Sequence, residues 1–268
     1  MKSSISSILL GVFLLLTSVS VQAQSSNDDA INVLFLTKSS GYEHGVVKRK
    51  GKDISFAGRI MKKIADKSSL NVMVTKDAGK ITPELLKKVD VVQFYTTGSL
   101  FKKGNDGNPP MTEEQALTLL EWIRNGGAFV GVHSATDTFK KWTKDGKKPY
   151  IDMVGARLEG HDNNGKSAVM SVKPHATTNH LDKRWKLKEE YYFFNYTTSN
   201  RTPLTILQTK EAQSGKLKKR DPYMNSWIKP YGKGRVFYTA LGHRKDVWTN
   251  EKFQKLVYKG IRWSVMSR

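Results

Sequence analysis

Short runs of consecutive apolar residues recur along the first half of the chain, and stretches with apolar residues at helical spacing separate them. A continuous apolar run of this length indicates a strand buried on both faces, because a half-buried strand would alternate apolar and polar side chains. The pattern therefore predicts four strands, at residues 31–37, 70–75, 90–96 and 128–132.

The segments between these strands carry the signals of helices. Residues 52–66 place apolar side chains three and four positions apart, as an amphipathic helix does. Residues 82–89 begin with a threonine N-cap followed by a proline. Residues 112–127 begin with a capping box, formed by Thr112 and Gln115, and end at two glycines.

Strands that alternate with helices predict a parallel sheet covered on both faces, and such sheets bind ligands at the carboxyl ends of their strands. The second half of the chain is less regular, but we see no internal repeat and no linker there, so we predict a single α/β domain. An amphipathic helix closes the chain at 250–266. Four further strands are predicted, several of them extending the sheet, at 167–174, 191–197, 203–210 and 234–241.

The amino terminus has the order of a secretory signal peptide over residues 1–23: Lys2, an apolar core at 8–16, and then small residues. A transmembrane anchor would need roughly 20 apolar residues, and this core is shorter. We therefore expect a secreted or periplasmic protein without stable membrane insertion. Residues 24–30 would be a loose leader, and residues 31–268 the domain.

The chain is strongly basic and lacks cysteine. It has 45 Lys and Arg against 24 Asp and Glu, a net charge of +21, which falls by one to +20 when Lys2 is removed. This charge suits an acidic partner such as an anionic glycan, but its dispersal favours an ordinary lysine-rich surface. The basic run at 216–220 reads as an exposed loop, and we expect no nucleic-acid partner. The absence of cysteine excludes disulfides, thiol catalysis and thiolate metal sites.

Four of the six histidines lie beside predicted strand ends or turn residues. His44 is in the loop after the first strand, and His133 follows the fourth strand directly. His175 and His243 follow later strands. Any one of these could be an ordinary hydrogen-bonded histidine, but four at one edge of a sheet predict a shared site. The remaining two, His161 and His180, lack this context and are interpreted as structural.

Acidic partners for these histidines are present. Asp137 follows His133 by four residues, so one helical turn would place the two on one face, although Asp137 could equally cap a helix. One of Glu189 and Glu190 is expected to face the same edge. A carboxylate–histidine pair suits both general acid–base chemistry and a metal site, but no spaced metal motif such as HExxH is present. Ser134 lacks the G-x-S-x-G pattern of a serine nucleophile.

Five segments match the order and spacing of the ThuA-like family, which is named for trehalose utilisation. They are VLFLTKSSGYEHG, GGAFVGVHSATDTF, EEYYFFN, SWIKPYGKGRVFYTALGH and GIRWSV. The chain resembles this family from about residue 31 to its end. It departs from the family pattern in having EEYY where DEWY is common, and in lacking the usual proline and histidine before its tryptophan.

The resemblance implies an α/β fold similar to that of class I glutamine amidotransferases, a flavodoxin-like three-layer sandwich with a mainly parallel central sheet. In those enzymes a catalytic cysteine sits on a sharp turn after a central strand. That place falls on His133 here, so amidotransferase activity is excluded. The family is associated with carbohydrate catabolism in pathways that pass through 3-keto sugars. The matching positions are His44, His133, Ser134, Asp137, Glu190, Trp227 and His243.

The first functional hypothesis is an exported enzyme that acts on an oxidised sugar or glycoside. A 3-keto group makes the neighbouring C–H acidic, so a base such as His133 could remove that proton, and His243 or Glu190 could protonate the leaving oxygen. A divalent metal, the one cofactor considered, could stabilise the enolate. Elimination, hydrolysis and isomerisation all begin in this way. The predicted catalytic residues are His44, His133, Asp137, Glu190 and His243.

The second hypothesis is a non-catalytic carbohydrate-binding protein. Aromatic rings, among them the tyrosines near residue 191, would then stack on a glycan, and the basic surface would suit an anionic one. The predicted substrate-binding residues are Tyr42, Ser134, Thr136 and Trp227. Clustered titratable groups favour the enzyme, whereas the basic charge favours the binding protein.

Overall fold

The computed structural model describes residues 30–162, 165–208 and 223–266. The predicted signal peptide, nearly all of the predicted leader and the basic loop at 216–220 lie outside these residues. In the part of the chain that is described, every helix is too short or too polar to cross a bilayer.

The elements follow the predicted alternation of strand and helix in the first half, and strands dominate the second half. The strands are β1 Ile31–Leu36, β2 Leu70–Thr75, β3 Val91–Phe94, β4 Ala128–Val132, β5 Ala156–His161, β6 Lys166–Val172, β7 Arg184–Glu189, β8 Tyr192–Thr197, β9 Thr202–Leu207, β10 Met224–Tyr231 and β11 Gly234–Thr239. The helices are α1 Phe56–Ala65, α2 Pro83–Leu86, α3 Glu113–Arg124, α4 Pro149–Val154, α5 Lys245–Thr249 and α6 Glu251–Val265, with short 3₁₀ turns at Ala78–Lys80 and His133–Asp137.

Nine strands form one mixed sheet in the order β2-β1-β3-β4-β11-β10-β9-β6-β7. The first five in this order, β2 to β11, are mutually parallel, as the helical crossovers between them require. The protein is therefore an α/β fold whose sheet is parallel at its core and antiparallel on one side. The finer expectation of flavodoxin-like layering stays a prediction.

The antiparallel side of the sheet determines which loops lie at which edge. Strands β10, β9, β6 and β7 alternate in direction because each pairs antiparallel with its neighbour. Strands β9 and β7 therefore run in the same direction as β11, β4 and β1. Strands β10 and β6 run in the opposite direction. The carboxyl end of β7 therefore lies at the same edge as those of β1, β4 and β11, and that of β6 lies at the opposite edge.

Both faces of the central strands β1, β3, β4 and β11 are covered by apolar side chains. Alternate residues of β1 belong to two separate hydrophobic clusters, Val33 and Phe35 to one and Leu34 and Leu36 to the other. Helices α1 and α6 pack into the first cluster, and α2, α3 and α4 into the second. This explains the continuous apolar runs in the sequence, because a strand covered on both faces has no solvent side.

Local capping signals fix several helix boundaries. The capping box predicted for α3 is confirmed, since Thr112 Oγ1 accepts from the Gln115 amide and Gln115 Oε1 accepts from the Thr112 amide. Helix α1 begins later than predicted because the Ser55 hydroxyl caps it by accepting from the Gly58 amide. The helix predicted at 82–89 is a single turn.

The strand predicted at 191–197 does not extend the main sheet. As β8 it pairs antiparallel with β5 in a separate two-stranded sheet. The pattern of apolar residues did not predict β5, β7 or β10. Strands β5 and β7 have exposed positions and carry charged residues, and β10 has two buried polar residues near its start, Asn225 and the hydrogen-bonded Ser226.

Candidate functional site

Four polar side chains converge at the carboxyl edge of the sheet: His44, His133, Glu190 and His243. Each offers a nitrogen or oxygen atom, and these four atoms all lie within 4.8 Å of one another. The topology explains the convergence, because the four residues follow β1, β4, β7 and β11, whose carboxyl ends share one edge. The predicted meeting of three histidines and a glutamate is thus present in the structure.

His175 does not join this cluster. It follows β6, which runs antiparallel to β4 in direction, so its loop emerges at the opposite edge. Its ring packs edge-on against Trp263 at 5.8 Å, and its Nδ1 lies 3.0 Å from the Thr177 hydroxyl. The expectation that His175 lies with the other strand-end histidines is wrong for this reason.

The three imidazole rings of the cluster meet edge to face. The ring centroids of His44 and His133 are 4.8 Å apart, and each of these rings is 5.2 Å from the ring of His243. The fully buried Tyr95 closes the back of the cluster, with its ring 5.4 Å from His44 and 5.5 Å from His133. The Tyr95 hydroxyl donates to the carbonyl of Gly242 and so stabilises the turn that carries His243.

His133 occupies a strained turn. Its φ of 46° lies in the left-handed region, which is costly for a residue other than glycine and persists only where surrounding contacts enforce it. Here the Tyr238 hydroxyl donates to the His133 carbonyl at 2.6 Å, and His133 Nδ1 lies 2.6 Å from the carbonyl oxygen of Ala240. The ring is fully buried, with the Tyr192 hydroxyl 2.8 Å from Nε2.

Glu190 links the buried imidazoles to the surface. Its Oε2 lies 3.3 Å from His133 Nε2 and 3.1 Å from His243 Nδ1, and its Oε1 lies 3.1 Å from His161 Nδ1. Burial alone would raise the pKa of Glu190, but the adjacent imidazoles of His133 and His243 outweigh it and hold the pKa well below its usual value. Glu190 is therefore a carboxylate.

The preceding residue, Glu189, is buried and holds the backbone turn that carries His243. Its Oε1 accepts hydrogen bonds from the backbone amides of Gly242 and His243, the latter at 2.7 Å. Burial raises the pKa of Glu189 to about 7, although these amides oppose the rise. Gly242 has a φ of 119°, which confirms that the turn before His243 requires glycine.

The buried histidines are held neutral. Burial lowers the pKa of His44 to about 2, and nearby His133 and His243 lower it further because they would repel its positive charge. Burial also lowers the pKa of His133, against the attraction of Glu190. His44 and His133 therefore present neutral imidazoles beside the Glu190 carboxylate, which suits the binding of a cation or a polar ligand.

A cavity of about 420 Å³ opens onto the cluster. His133 does not line this cavity, because it lies behind Glu190 and Tyr192. Its imidazole can therefore position the side chains of these two residues. A larger depression of about 520 Å³ lies at the opposite edge, beside the first residues of β1 and β2, and no histidine lines it. The residues that line the smaller cavity are Tyr42, His44, Asp137, Lys140, Leu158, Glu159, Gly160, His161, Glu190, Tyr192 and His243.

The other predicted site residues divide into two groups. Tyr42, two-thirds exposed, and Asp137 line the cavity, and Asp137 pairs with Lys140 at 2.5 Å. Asp137 thus belongs to the pocket wall, outside the four-residue cluster. Ser134 and Thr136 are fully buried below the turn, so neither is placed to bind substrate as predicted.

The prediction that Trp227 binds substrate is also wrong. It is fully buried in β10, donates from Nε1 to the carbonyl of Val154 at 3.0 Å and stacks on Tyr238 at 4.1 Å. Tyr191 and Tyr192 are buried as well. Of the stacking platforms of the binding-protein hypothesis, Trp227 and Tyr191 are thus core residues, whereas Tyr42 and Tyr192 line the cavity.

One residue of the site, His161, was missed from the sequence, and Tyr192 was named there only among candidate stacking rings. His161, interpreted as structural, ends β5 and places its half-exposed ring at the mouth of the cavity beside Glu190. Tyr192 pairs with His161 across the two-stranded sheet and contacts His133. The adjacency of Tyr192 to Glu190 was the available signal for it, whereas nothing near His161 marked that residue.

The comparisons with known proteins agree with this fold. The model of the family described as ThuA, trehalose utilisation, matches residues 32–264. The chain belongs to the ThuA family. A solved ThuA-like protein from Bacteroides uniformis ATCC 8492 is similar with a TM-score of 0.67 at 17% identity, covering 88% of this chain and 92% of the other.

Further solved structures share the fold of this ThuA-family chain. A ThuA-like protein from Parabacteroides merdae ATCC 43184 has a TM-score of 0.64 at 18% identity, covering 89% of this chain and 91% of the other. A β-galactosidase from Bacillus circulans sp. alkalophilus has a TM-score of 0.51 at 11% identity, covering 88% of this chain and 31% of the enzyme. The comparison with curated proteins found no match. The family indicates a carbohydrate-related role.

Proposed function

We propose that the chain is a carbohydrate-catabolism enzyme that moves protons on a sugar or glycoside carrying a keto group. The observation that carries this proposal is the shared carboxylate of Glu190. One of its oxygens faces the buried His133 and His243, and the other faces the half-exposed His161. An imidazole that exchanges with solvent and is oriented by a carboxylate is the usual form of a general base near neutral pH. Membership in a trehalose-utilisation family supports a sugar as the substrate.

His161 is the residue that we assign as the base. Its Nδ1 lies 3.0 Å from the carbonyl oxygen of Asp162 and 3.1 Å from Glu190 Oε1, and both of these atoms accept hydrogen bonds. The ring hydrogen therefore sits on Nδ1, which leaves Nε2 with the lone pair that takes a proton. His133, the base expected from the sequence, is fully buried and acts in this proposal by positioning Glu190.

The reaction begins at the carbon next to the keto group. His161 Nε2 removes the proton from this carbon, and the electron pair is delocalised onto the keto oxygen as an enolate. When the pair returns, a double bond forms to the glycosidic carbon, its C–O bond breaks, and the leaving oxygen takes a proton from the pocket. This elimination gives an unsaturated keto sugar and an alcohol. Addition of water to the double bond would complete hydrolysis, and reprotonation of the enolate at another carbon would give an isomer.

The test is turnover of 3-keto glycosides by the wild type and by His161→Gln, with His180→Gln as the matched control. General acid–base groups contribute about a hundredfold to ten-thousandfold. We expect kcat/KM to fall by that factor in His161→Gln, with a change of less than about 0.5 kcal/mol in the free energy of unfolding, because the side chain is half-exposed. His180 lies away from the cavity, bonded to the Lys252 carbonyl, so its variant should keep full activity. Full activity in His161→Gln would refute the assignment of His161 as the base. The absence of turnover by the wild type would refute the proposal that the protein is an enzyme of this kind.

We also propose export to the periplasm or beyond, supported by the apolar core at 8–16 and the small residues before Gln24. Intact-mass measurement on periplasmic material should find the chain to begin near Gln24, and retention of Met1 would contradict export.

The net charge of +21 would suit an anionic sugar or glycan. The proposed fold is the flavodoxin-like three-layer arrangement, supported by the order β2-β1-β3-β4-β11 of its parallel strands.

A further inference from the structure

Three atoms that could bind a cation face one another beside the cavity. His133 Nε2, His243 Nδ1 and Glu190 Oε2 form a triangle with sides of 3.3, 3.3 and 3.1 Å. The hydrogen of His133 sits on Nδ1, because that nitrogen lies 2.6 Å from the Ala240 carbonyl oxygen, which can only accept. His133 Nε2 therefore accepts from the Tyr192 hydroxyl and carries no hydrogen of its own toward Glu190, so a cation between the two could bind both atoms.

His44 adds a fourth donor to this triangle. Its ring is buried, and within the described residues its Nδ1 has no hydrogen-bond partner. A buried nitrogen without a partner loses its interaction with water and gains nothing in exchange, which costs about 1–3 kcal/mol. Such groups are rare in folded proteins and often mark the place of an ion. One atom from each of the four residues lies within 4.8 Å of the others.

The spacing of these atoms suits a metal ion. Ligand atoms about 2.0–2.1 Å from a tetrahedral zinc ion lie roughly 3.4 Å apart. The triangle of His133, His243 and Glu190 already has this spacing, and His44 offers an atom within 4.8 Å of the other three. Outer contacts also fix the ligands, as they do in known metal sites: the Ala240 carbonyl orients His133, and Glu189 holds the His243 backbone.

We propose that His44, His133, His243 and Glu190 bind one divalent transition-metal ion. Three imidazole nitrogens and one carboxylate oxygen are the ligand set that zinc, cobalt, iron and related first-row ions prefer. Magnesium and calcium prefer sites made of oxygen atoms, so neither is the expected ion. The Tyr192 hydroxyl, 2.8 Å from His133 Nε2, changes its partner when the ion binds.

The catalytic use of the ion rests on the function proposed above, whereas its binding does not. A divalent ion that accepted a fifth ligand at this position would polarise the keto oxygen of a sugar in the cavity and stabilise the enolate. His161 lies outside the four ligands and contacts the second oxygen of Glu190, so it remains available as the base. The two roles of the site thus fall on different residues.

The experiment measures metal binding in the absence of any sugar. Purified full-length protein is stripped with a chelator and titrated with Zn²⁺, Co²⁺ and Mg²⁺ by calorimetry, and the Co²⁺ complex is followed by its visible absorption. The variants are His243→Gln, Glu190→Gln and Tyr192→Phe. His175→Gln is the matched control, because it removes a histidine from the opposite edge of the sheet.

We expect one equivalent of Zn²⁺ or Co²⁺ per chain and no comparable binding of Mg²⁺. His243→Gln and Glu190→Gln should raise the Kd at least about tenfold to a hundredfold, the loss that outer contacts alone can cause. His175→Gln should retain the ion at full affinity, whereas Tyr192→Phe, which alters only an outer contact to His133, should weaken binding less than the ligand variants do. His243 is near the surface of the cluster, so its variant keeps the test valid if Glu190→Gln fails to fold.

Two results would overturn the proposal: no stoichiometric binding of Zn²⁺ or Co²⁺, or equal affinity in the wild type and both ligand variants. In the first case the cluster holds only a shared proton. Binding without turnover of keto sugars would remove the proposed function and leave the metal site. If the stripped protein turns over keto sugars and binds no metal, the metal site is refuted and the proposed function stands.

Discussion

Lys229 is a buried ammonium whose charge should make the stability of the protein depend on pH in a defined way. It lies in β10 with only 3% of its surface exposed, and its Nζ donates to the carbonyls of Asp152 and Met153 at the end of α4. Burial lowers the pKa of Lys229 from 10.5 to about 8, against attraction by Asp152 and with added repulsion from Arg201. The neutral amine can still donate to both carbonyls.

The sign and the size of the effect follow from this pKa. Between pH 8 and 10.5 the unfolded chain holds the Lys229 proton and the folded chain has released it, so stability rises with pH over this window. Since one pKa unit corresponds to about 1.4 kcal/mol, the free energy of unfolding should gain about 3 kcal/mol from this group between the two values. Below pH 8 the folded chain carries the full cost of the buried charge.

The assay is denaturant unfolding at pH 7.5, 9 and 10, followed by tryptophan fluorescence, for the wild type and Lys229→Met. Methionine keeps the apolar stem and removes the titration, so the variant should lack the rise of about 3 kcal/mol. Lys233→Met is the control, because it removes an exposed lysine from the turn that follows β10. If the wild type and Lys229→Met show the same dependence on pH, the reasoning about the buried charge is refuted.

Two further predictions concern the backbone. Thr112→Ala removes a capping hydroxyl from α3 and should cost about 1 kcal/mol of unfolding free energy, whereas Thr112→Ser should keep most of it; equal stabilities in denaturant would contradict the cap. Gly242→Ala should cost about 1–3 kcal/mol, because the residue has a φ of 119° and its new Cβ would lie 3.1 Å from Val132 Cγ1. Gly45→Ala, with nothing within 4 Å of the new Cβ, is the control, and an equal melting temperature in both variants would argue against strain.

The parts of the fold that the sequence predicted are those governed by local rules. The apolar runs of β1, β2 and β4 and the capping box of Thr112 and Gln115 have the predicted positions. Capping and periodicity depend on residues within a few positions, so they can be identified without knowing the fold. Strands β5 and β7 could not, because they lack a continuous apolar face and are stabilised by partners distant in sequence.

Part of the candidate site was predicted from the rule that the carboxyl ends of parallel strands lie at one edge of a sheet. Placing His44, His133 and His243 after parallel strands was sufficient to bring them to one edge. The same reasoning failed for His175, because the direction of β6 depends on its pairing with β9. It also missed His161, which reaches the site only because β5 pairs with β8.

The sequence by itself determined the alternation of strand and helix, the family, the absence of thiol chemistry and the residue types available at the strand ends. These follow from local pattern and composition, which a chain carries whether or not it is folded. Only the tertiary structure decided which polar groups meet, because strand direction and pairing join residues far apart in sequence. It placed Trp227 in the core and His161 at the cavity, although neither residue type requires its position. It also brought three imidazoles and one carboxylate together, where the fold holds them near enough to share a cation.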